Sequence, residues 1–167
     1  MSKTQDNLKA AFAGESQASR KYTYFAEKAD AEGLTQVARL FRAAAEAETV
    51  HARNHLNALG GIGSTRDNLK AAISGEHYEF SQMYPPFIKQ AEDDKDGKAE
   101  RSFTHANKVE EIHHALYSQA LAALEKGGKL PEGVYYVCPV CGNTVFGEVP
   151  DRCPICNAPG KTFKKIS

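Results

Sequence analysis

Residues 6–15 read DNLKAAFAGE and residues 67–76 read DNLKAAISGE, so one segment recurs after sixty-one positions of a 167-residue chain. A repeat of this length is typical of a helical hairpin, because one hairpin cannot bury its apolar face alone. We therefore expect two hairpins, about residues 4–59 and 65–126, assembled into a four-helix bundle. The turn of the first should lie at Gly33, and that of the second within residues 93–97.

Each expected helix carries an acid on its apolar stripe. In the first helix, Leu8, Phe12 and Glu15 follow steps of four and three residues, the spacing of one helix face. The acids of the four stripes are Glu15, Glu48, Glu76 and Glu110. A histidine lies one turn beyond two of them: His51 follows Glu48, and His113 follows Glu110. A carboxylate in a low-dielectric core is very costly unless a cation neutralises it. The stripes therefore predict metal ions inside the bundle.

The ligand types indicate which metals these are. Two Glu-x-x-His pairs, with one Glu from each remaining helix, are the pattern of di-iron bundles. Oxygen-rich ligation with two imidazoles suits iron or manganese, although zinc is a possible occupant of isolated protein. Carboxylate bridges hold two metals about 3.5 to 4 Å apart, which favours chemistry on an O–O bond.

Two Cys-x-x-Cys pairs near the end of the chain predict a second metal site. Cys138 and Cys141 form one knuckle and Cys153 and Cys156 the other, with eleven residues between them. A metal ion held by four thiolates would supply the stability that so short a segment cannot obtain from apolar burial. We therefore expect residues 132–167 to form a separate metal-binding domain, and residues 1–131 to form the bundle domain. The spacing alone also allows a zinc ribbon. Iron is favoured because a one-electron centre beside a di-iron site has a redox role.

Composition and charge limit the partners. The chain has 21 basic and 21 acidic residues, and its formal net charge is therefore zero. This balance does not show the excess of basic residues that is typical of proteins that bind nucleic acid or an anionic membrane. We find no signal peptide and no apolar run long enough to cross a bilayer, and expect a cytoplasmic protein. In that reducing compartment, paired cysteines are better interpreted as metal ligands than as disulfides.

With these motifs, nearly the whole chain resembles the rubrerythrin family. The resemblance implies an all-α fold, a ferritin-like four-helix bundle followed by a small rubredoxin-like domain with one tetrathiolate iron. It implies that Glu48 and Glu110 bridge the di-iron centre, that Glu79 is an additional ligand which alternates with His51 as the oxidation state changes, and that Tyr22 and Tyr84 hydrogen-bond near the site. The implied di-iron ligands are Glu15, Glu48, His51, Glu76, Glu79, Glu110 and His113.

The resemblance also implies an activity, which is the reduction of hydrogen peroxide to water in oxidative-stress defence. Electrons would come from NADH through a reductase or a separate rubredoxin, and pass through the tetrathiolate iron. The residues implied in catalysis are Glu48, His51, Glu79, Glu110, Tyr22 and Tyr84. Two alternatives stay open: a ferritin-like ferroxidase or iron-storage protein, and a non-enzymatic interaction module built on a zinc ribbon.

The link between the hairpins is short for the topology that the resemblance implies. A ferritin-like bundle needs a crossover along its full length between the second and third helices. Residues 60–65 reach about 20 Å when extended, whereas a helix of some twenty-five residues is roughly 38 Å long. We therefore expect a homodimer or higher homo-oligomer in which chains exchange hairpins. Two local features are also expected: an interruption of the third helix at Pro85 and Pro86, and a left-handed backbone at Asn157.

Overall fold

A computed structural model describes residues 2–166, which form two compact units, one ending at Gly63 and the other beginning at Ser64. The first unit is a hairpin of α1 (Lys3–Ala31) and α2 (Thr35–Ala58). The hydroxyl of Ser2 caps α1 by accepting the amide N–H of Gln5 at 3.3 Å. Gly33 turns the chain with a φ of +75°, a left-handed conformation that favours glycine.

Small residues line the contact between α1 and α2. The buried side chains of this hairpin are Ala26, Ala29, Ala38, Ala45 and Ala52. Because alanine has only a methyl group, the two helix backbones approach closely along this seam. In the same hairpin, the aromatic rings of Tyr22, Phe25 and Phe41 pack together, with Phe25 and Phe41 edge to face at 5.6 Å between centroids.

The second unit begins with three helical segments that run into one another. These are α3 (Thr65–Tyr78), a π-helical turn (Glu79–Met83) and α4 (Tyr84–Asp93), and they pack against the long helix α5 (Gly97–Glu125). The Ser64 hydroxyl caps α3 by accepting the Asp67 N–H at 3.2 Å. Lys95, with a φ of +56°, makes the turn into α5. The turns expected at Gly33 and within residues 93–97 are therefore confirmed.

The π-helical turn is the form taken by the expected interruption. Pro85 and Pro86 are the first residues of α4 after Tyr84, and neither has an amide hydrogen to continue the α-helical pattern behind it. The N–H of Tyr84 instead reaches back five residues to the carbonyl of Glu79. Such a wide turn changes the phase of the side chains on either side of it, and π turns are frequent at functional sites.

The cysteine-rich segment forms a small antiparallel sheet. Its strands are β1 (Tyr135–Val137), β2 (Thr144–Phe146) and β3 (Lys164–Ile166), in the order β2-β1-β3. Tyr136 pairs with Val145 on one side and with Lys165 on the other. Strand β2 contacts α5. Among residues 2–166 no helix combines the length and the apolar character that a membrane span requires.

Candidate metal centres

The first hairpin gathers three of the expected ligands. Glu15 on α1 meets Glu48 and His51 on α2, and one ligand atom from each lies within 4.8 Å of the others. His51 Nδ1 is 2.8 Å from Glu48 Oε2, and the His51 side chain is 53% exposed. One turn from Glu15 and beside Glu48, the hydroxyls of Ser19 and Thr49 join the two helices at 2.9 Å. This hydrogen bond holds α1 and α2 together next to the trio.

The second unit gathers an equivalent trio. Glu76 on α3 lies beside Glu110 and His113 on α5, again with ligand atoms within 4.8 Å of one another. His113 Nδ1 is 2.8 Å from Glu110 Oε2 and 3.9 Å from Glu76 Oε1. Burial, and then the negative charge of Glu110, raise the pKa of Glu76 to about 7. The hydrogen bond to Glu110 raises the pKa of His113.

These shifts test whether metal fits the trio. Glu110 lies so close to the half-buried Glu76 that its charge raises the cost of ionising the Glu76 carboxyl, and without metal a proton on Glu76 relieves the repulsion. A divalent cation would relieve the repulsion more fully and would allow Glu76 to ionise. With two carboxylates and one imidazole, each trio supplies the oxygen-rich donors that iron and manganese prefer. The residues present therefore fit a di-iron centre.

Glu79 and Tyr84 flank the second trio at the two ends of the π-helical turn. Glu79 is not one of its three members, but burial and the negative charge of Glu110 raise the pKa of Glu79. Burial and the charges of Glu79, Glu110 and Glu76 raise the pKa of Tyr84. The Tyr84 phenol is therefore protonated at neutral pH and available as a hydrogen-bond donor. Tyr22, in the first unit, packs its ring against Phe25 and Phe41.

The four cysteines converge as the two knuckles require. The Sγ atoms of Cys138 and Cys156 are 3.5 Å apart, as are those of Cys141 and Cys153. A tetrahedral ion with metal–sulfur bonds near 2.3 Å has sulfur–sulfur edges of about 3.8 Å, so the four thiols surround a space of the right size. All four are free thiols. The structure thus brings together the complete predicted thiolate set.

Backbone turns hold the cysteine knuckles. The Cys138 N–H donates to the Asn143 carbonyl at 2.9 Å, and the Cys153 N–H donates to the Ala158 carbonyl at 2.8 Å. Gly142 and Asn157 occupy equivalent left-handed positions, with φ of +84° and +62°, so the backbone expected at Asn157 is confirmed. Burial raises the pKa of Cys153, but the N–H groups of Cys156 and Ile155, together with hydrogen bonds to the other thiols, outweigh it and lower that pKa to about 7.

Two polar residues of this domain had no distinguishing signal in the sequence. Asn143 is buried and directs its Nδ2 towards Cys153 Sγ at 3.7 Å. The Thr144 hydroxyl lies 2.9 Å from His113 Nε2 and donates to the Gly142 carbonyl at 3.1 Å. Short polar residues are common in turns, so their presence after a cysteine knuckle does not indicate a special role. Only the fold brings Thr144 to a histidine thirty-one positions away.

Comparison with known proteins gives the family. Residues 6–121 match the family model described as Rubrerythrin, and residues 136–164 match that of the rubrerythrin rubredoxin-like domain. Rubrerythrin-2 of Clostridium acetobutylicum is 37% identical, with 96% of this chain and 95% of that protein covered. Nigerythrin of Nitratidesulfovibrio vulgaris is 38% identical, with 96% and 85% covered.

Solved structures agree with the sequence relatives. The fully reduced, all-ferrous state of nigerythrin has a TM-score of 0.59 at 35% identity, covering 99% of this chain and 88% of that chain. The mixed-valence state, with the same identity and coverage, has a TM-score of 0.56. The expected fold class, a ferritin-like bundle followed by a rubredoxin-like domain, is therefore confirmed. The chain belongs to the rubrerythrin family, and its cofactors are a di-iron centre and one rubredoxin-type iron.

Proposed function

We propose that this protein is a non-haem di-iron peroxidase that reduces hydrogen peroxide to water in oxidative-stress defence. The observation that carries the proposal is the contact of the cysteine domain with α5 at His113, which belongs to the second carboxylate trio. A site for one-electron transfer thus adjoins an oxygen-rich site in one compact unit. Storage of iron alone would not need this electron entry.

The overall reaction consumes two electrons and two protons, which convert one peroxide molecule into two water molecules. When bound, the two irons supply both electrons for cleavage of the O–O bond. The chain would contribute the carboxylates that hold the metals, and its protonated phenol at Tyr84 would donate a hydrogen bond to an oxygen atom of the peroxide. The position of Tyr84 supports this role, since the carboxylates of Glu79, Glu110 and Glu76 are close enough to raise its pKa.

The ligand assignment is part of the proposal. Glu48 and Glu110 would be the bridging carboxylates, and Glu79 would be the additional ligand that alternates with His51. Tyr22 and Tyr84 are the hydrogen-bonding tyrosines. The remaining di-iron ligands are Glu15, Glu76 and His113. The two trios support this set, since each contains one Glu-x-x-His pair and one single glutamate.

The variant Glu110→Ala tests the assignment. We expect it to lose peroxide turnover and keep the red ferric-thiolate absorption, because it lacks a bridging carboxylate and has an unchanged cysteine domain. Glu111→Ala is a matched control, since Glu111 is the next residue of α5 and is exposed. Peroxide consumption by Glu110→Ala equal to that of the control would refute the proposed site.

We further propose that the complete di-iron site forms between two chains that exchange hairpins. The link from Ala58 to Thr65 contains six residues and reaches about 20 Å, whereas the 24 residues of α2 span about 36 Å. The first trio of one chain would then meet the second trio of another. Each hairpin also exposes large apolar side chains, including Leu40 at 70% and Tyr78 at 54%, which such an assembly can cover.

Complementation between two inactive chains tests the exchange. A chain with Glu48→Ala and a chain with Glu110→Ala are refolded together in equal amounts. With exchange, each mixed dimer contains one site with both defects and one intact site, so random pairing restores about a quarter of wild-type activity. If both glutamates of a site came from one chain, the mixture would remain inactive.

Three further assignments complete the proposal. The boundary between the bundle and the rubredoxin-like domain lies at residues 131 and 132, after the end of α5 at Glu125. The electron donor is an NADH-linked reductase or a separate rubredoxin. The protein works in the cytoplasm, where a reducing environment keeps the four cysteines available for metal.

A further inference from the structure

We propose that Thr144 is a positioning residue that fixes the ring of His113 and connects it to the first cysteine knuckle. The inference rests on the ligand role of His113 in the proposed function, but Thr144 itself lies outside every ligand motif. It belongs to β2 of the cysteine domain, whereas His113 belongs to α5. The 2.9 Å contact between Thr144 Oγ1 and His113 Nε2 is therefore a contact between the two metal-binding parts of the unit.

The direction of the hydrogen bonds follows from the number of protons. A threonine hydroxyl has one proton, and here it is donated to the carbonyl oxygen of Gly142 at 3.1 Å. Towards His113 the hydroxyl oxygen can then only accept, so the proton of the contact belongs to Nε2. This leaves Nδ1 as the ring nitrogen that faces Glu110 and Glu76, at 2.8 and 3.9 Å.

This arrangement serves metal binding at Nδ1. A metal-bound histidine usually donates its other N–H to an acceptor that fixes the tautomer and the ring orientation. Thr144 supplies that acceptor, and its own orientation is set by the backbone of the knuckle. The sequence of groups is the Gly142–Asn143 peptide, the Thr144 hydroxyl and the His113 ring, with one hydrogen bond at each step. A displacement of the knuckle would therefore change how His113 presents Nδ1.

The test compares Thr144→Val, which has a similar shape without the hydroxyl, with Thr144→Ser, which keeps the hydroxyl. The full chain is prepared with zinc at the four thiolates, and the helical site is titrated anaerobically with Co²⁺, followed by its visible absorption. Loss of such an acceptor typically weakens metal binding by 10- to 100-fold. Because a hydroxyl is a neutral acceptor, we expect a loss of about tenfold for valine and near wild-type binding for serine.

A second readout needs no metal in the helical site. Long-range ¹H–¹⁵N spectra of the imidazole should show the Nε2–H of His113 protected from exchange with solvent in wild type and in Thr144→Ser, where the hydroxyl accepts it, and exchanging faster in Thr144→Val. Equal Co²⁺ affinity and unchanged exchange of the Nε2–H in the valine variant would overturn the inference. Equal losses in both variants would also overturn it, since the contact would then be one of packing.

A further variant distinguishes failure of this inference from failure of the proposed ligand role of His113. His113→Ala should weaken binding of Co²⁺ much more than Thr144→Val does. If His113→Ala bound Co²⁺ as tightly as wild type, His113 would not be a ligand and the proposed site itself would be refuted. If Thr144→Val does not fold, as judged by helical circular dichroism, the comparison of wild type with Thr144→Ser and Thr144→Ala decides the question in the same way.

Discussion

Without metal, the second carboxylate trio should make the protein less stable as the pH rises, and Glu76→Gln should remove much of that loss. The ordinary pKa of this carboxyl is 4.5, and in the folded chain it is about 7. Folded protein therefore holds more protons than unfolded protein between these values. Since stability falls with rising pH wherever the folded state binds more protons, the contribution of Glu76 is complete below about pH 4.5 and is lost by about pH 7.

The magnitude follows from the size of the shift. The difference between 4.5 and about 7 corresponds to at most about 3 kcal/mol. Because the side chains of the trio are partly exposed, with 18% of the Glu76 side chain accessible to solvent, we expect about 1 to 2 kcal/mol. For a chain of this size that is a fall in Tm of roughly 2 to 8 °C between pH 5 and pH 8. His113 acts in the same direction, since its raised pKa stabilises the fold at low pH and that stabilisation is lost as the pH passes it.

Thermal unfolding of protein with an empty helical site, followed by circular dichroism across this pH range, measures the effect. Glu76→Gln has no titrating carboxyl at this position and should show a flatter profile and a higher Tm at pH 8. Addition of Mn²⁺ at pH 8 should restore the stability of wild type, because the cation replaces the proton. Identical pH profiles of wild type and Glu76→Gln, or a wild-type Tm that rises with pH, would refute the reasoning.

Three further outcomes are expected. Cys153→Ser should abolish the ferric-thiolate absorption and unfold the rubredoxin-like domain, while circular dichroism shows the helices retained, because the metal stabilises that domain. Asn143→Ala removes a donor directed at Cys153 Sγ and should make the potential of the tetrathiolate iron more negative in a spectroelectrochemical titration; an unchanged potential would mean that this donor has no effect. Ala38 has no exposed surface in the contact between α1 and α2, so Ala38→Leu should lower the free energy of unfolding in denaturant by about 1 to 3 kcal/mol. Ala43→Leu, at an exposed position of α2, is the control. An equal loss in both variants would show that this contact is not tightly packed.

The sequence predicted what depends on local spacing. Steps of three and four residues placed Glu15 on the same face as its apolar neighbours, and Gly33 marked the turn between α1 and α2. The Cys-x-x-Cys pairs predicted the thiolate site because that spacing is itself the ligand geometry. These features could be predicted because helical periodicity and knuckle geometry are properties of short segments.

Other features depend on contacts that no segment contains. Pro85 and Pro86 predicted an interruption, but whether the helix kinks or widens into a π turn depends on its packing against α5. The contact of Thr144 with His113 requires the cysteine domain to rest on α5, which no local pattern specifies. The raised pKa of Glu76 likewise arises from burial and from Glu110, on a different helix.

The central claim is tested most directly by anaerobic reduction of the iron-loaded protein followed by stoichiometric hydrogen peroxide or dioxygen, with both iron chromophores monitored. We predict that one peroxide per di-iron centre oxidises that centre faster than dioxygen does, and that the ferric-thiolate absorption then appears as the tetrathiolate iron supplies an electron. Faster oxidation by dioxygen, with no appearance of the ferric-thiolate band, would contradict the account and favour a ferroxidase.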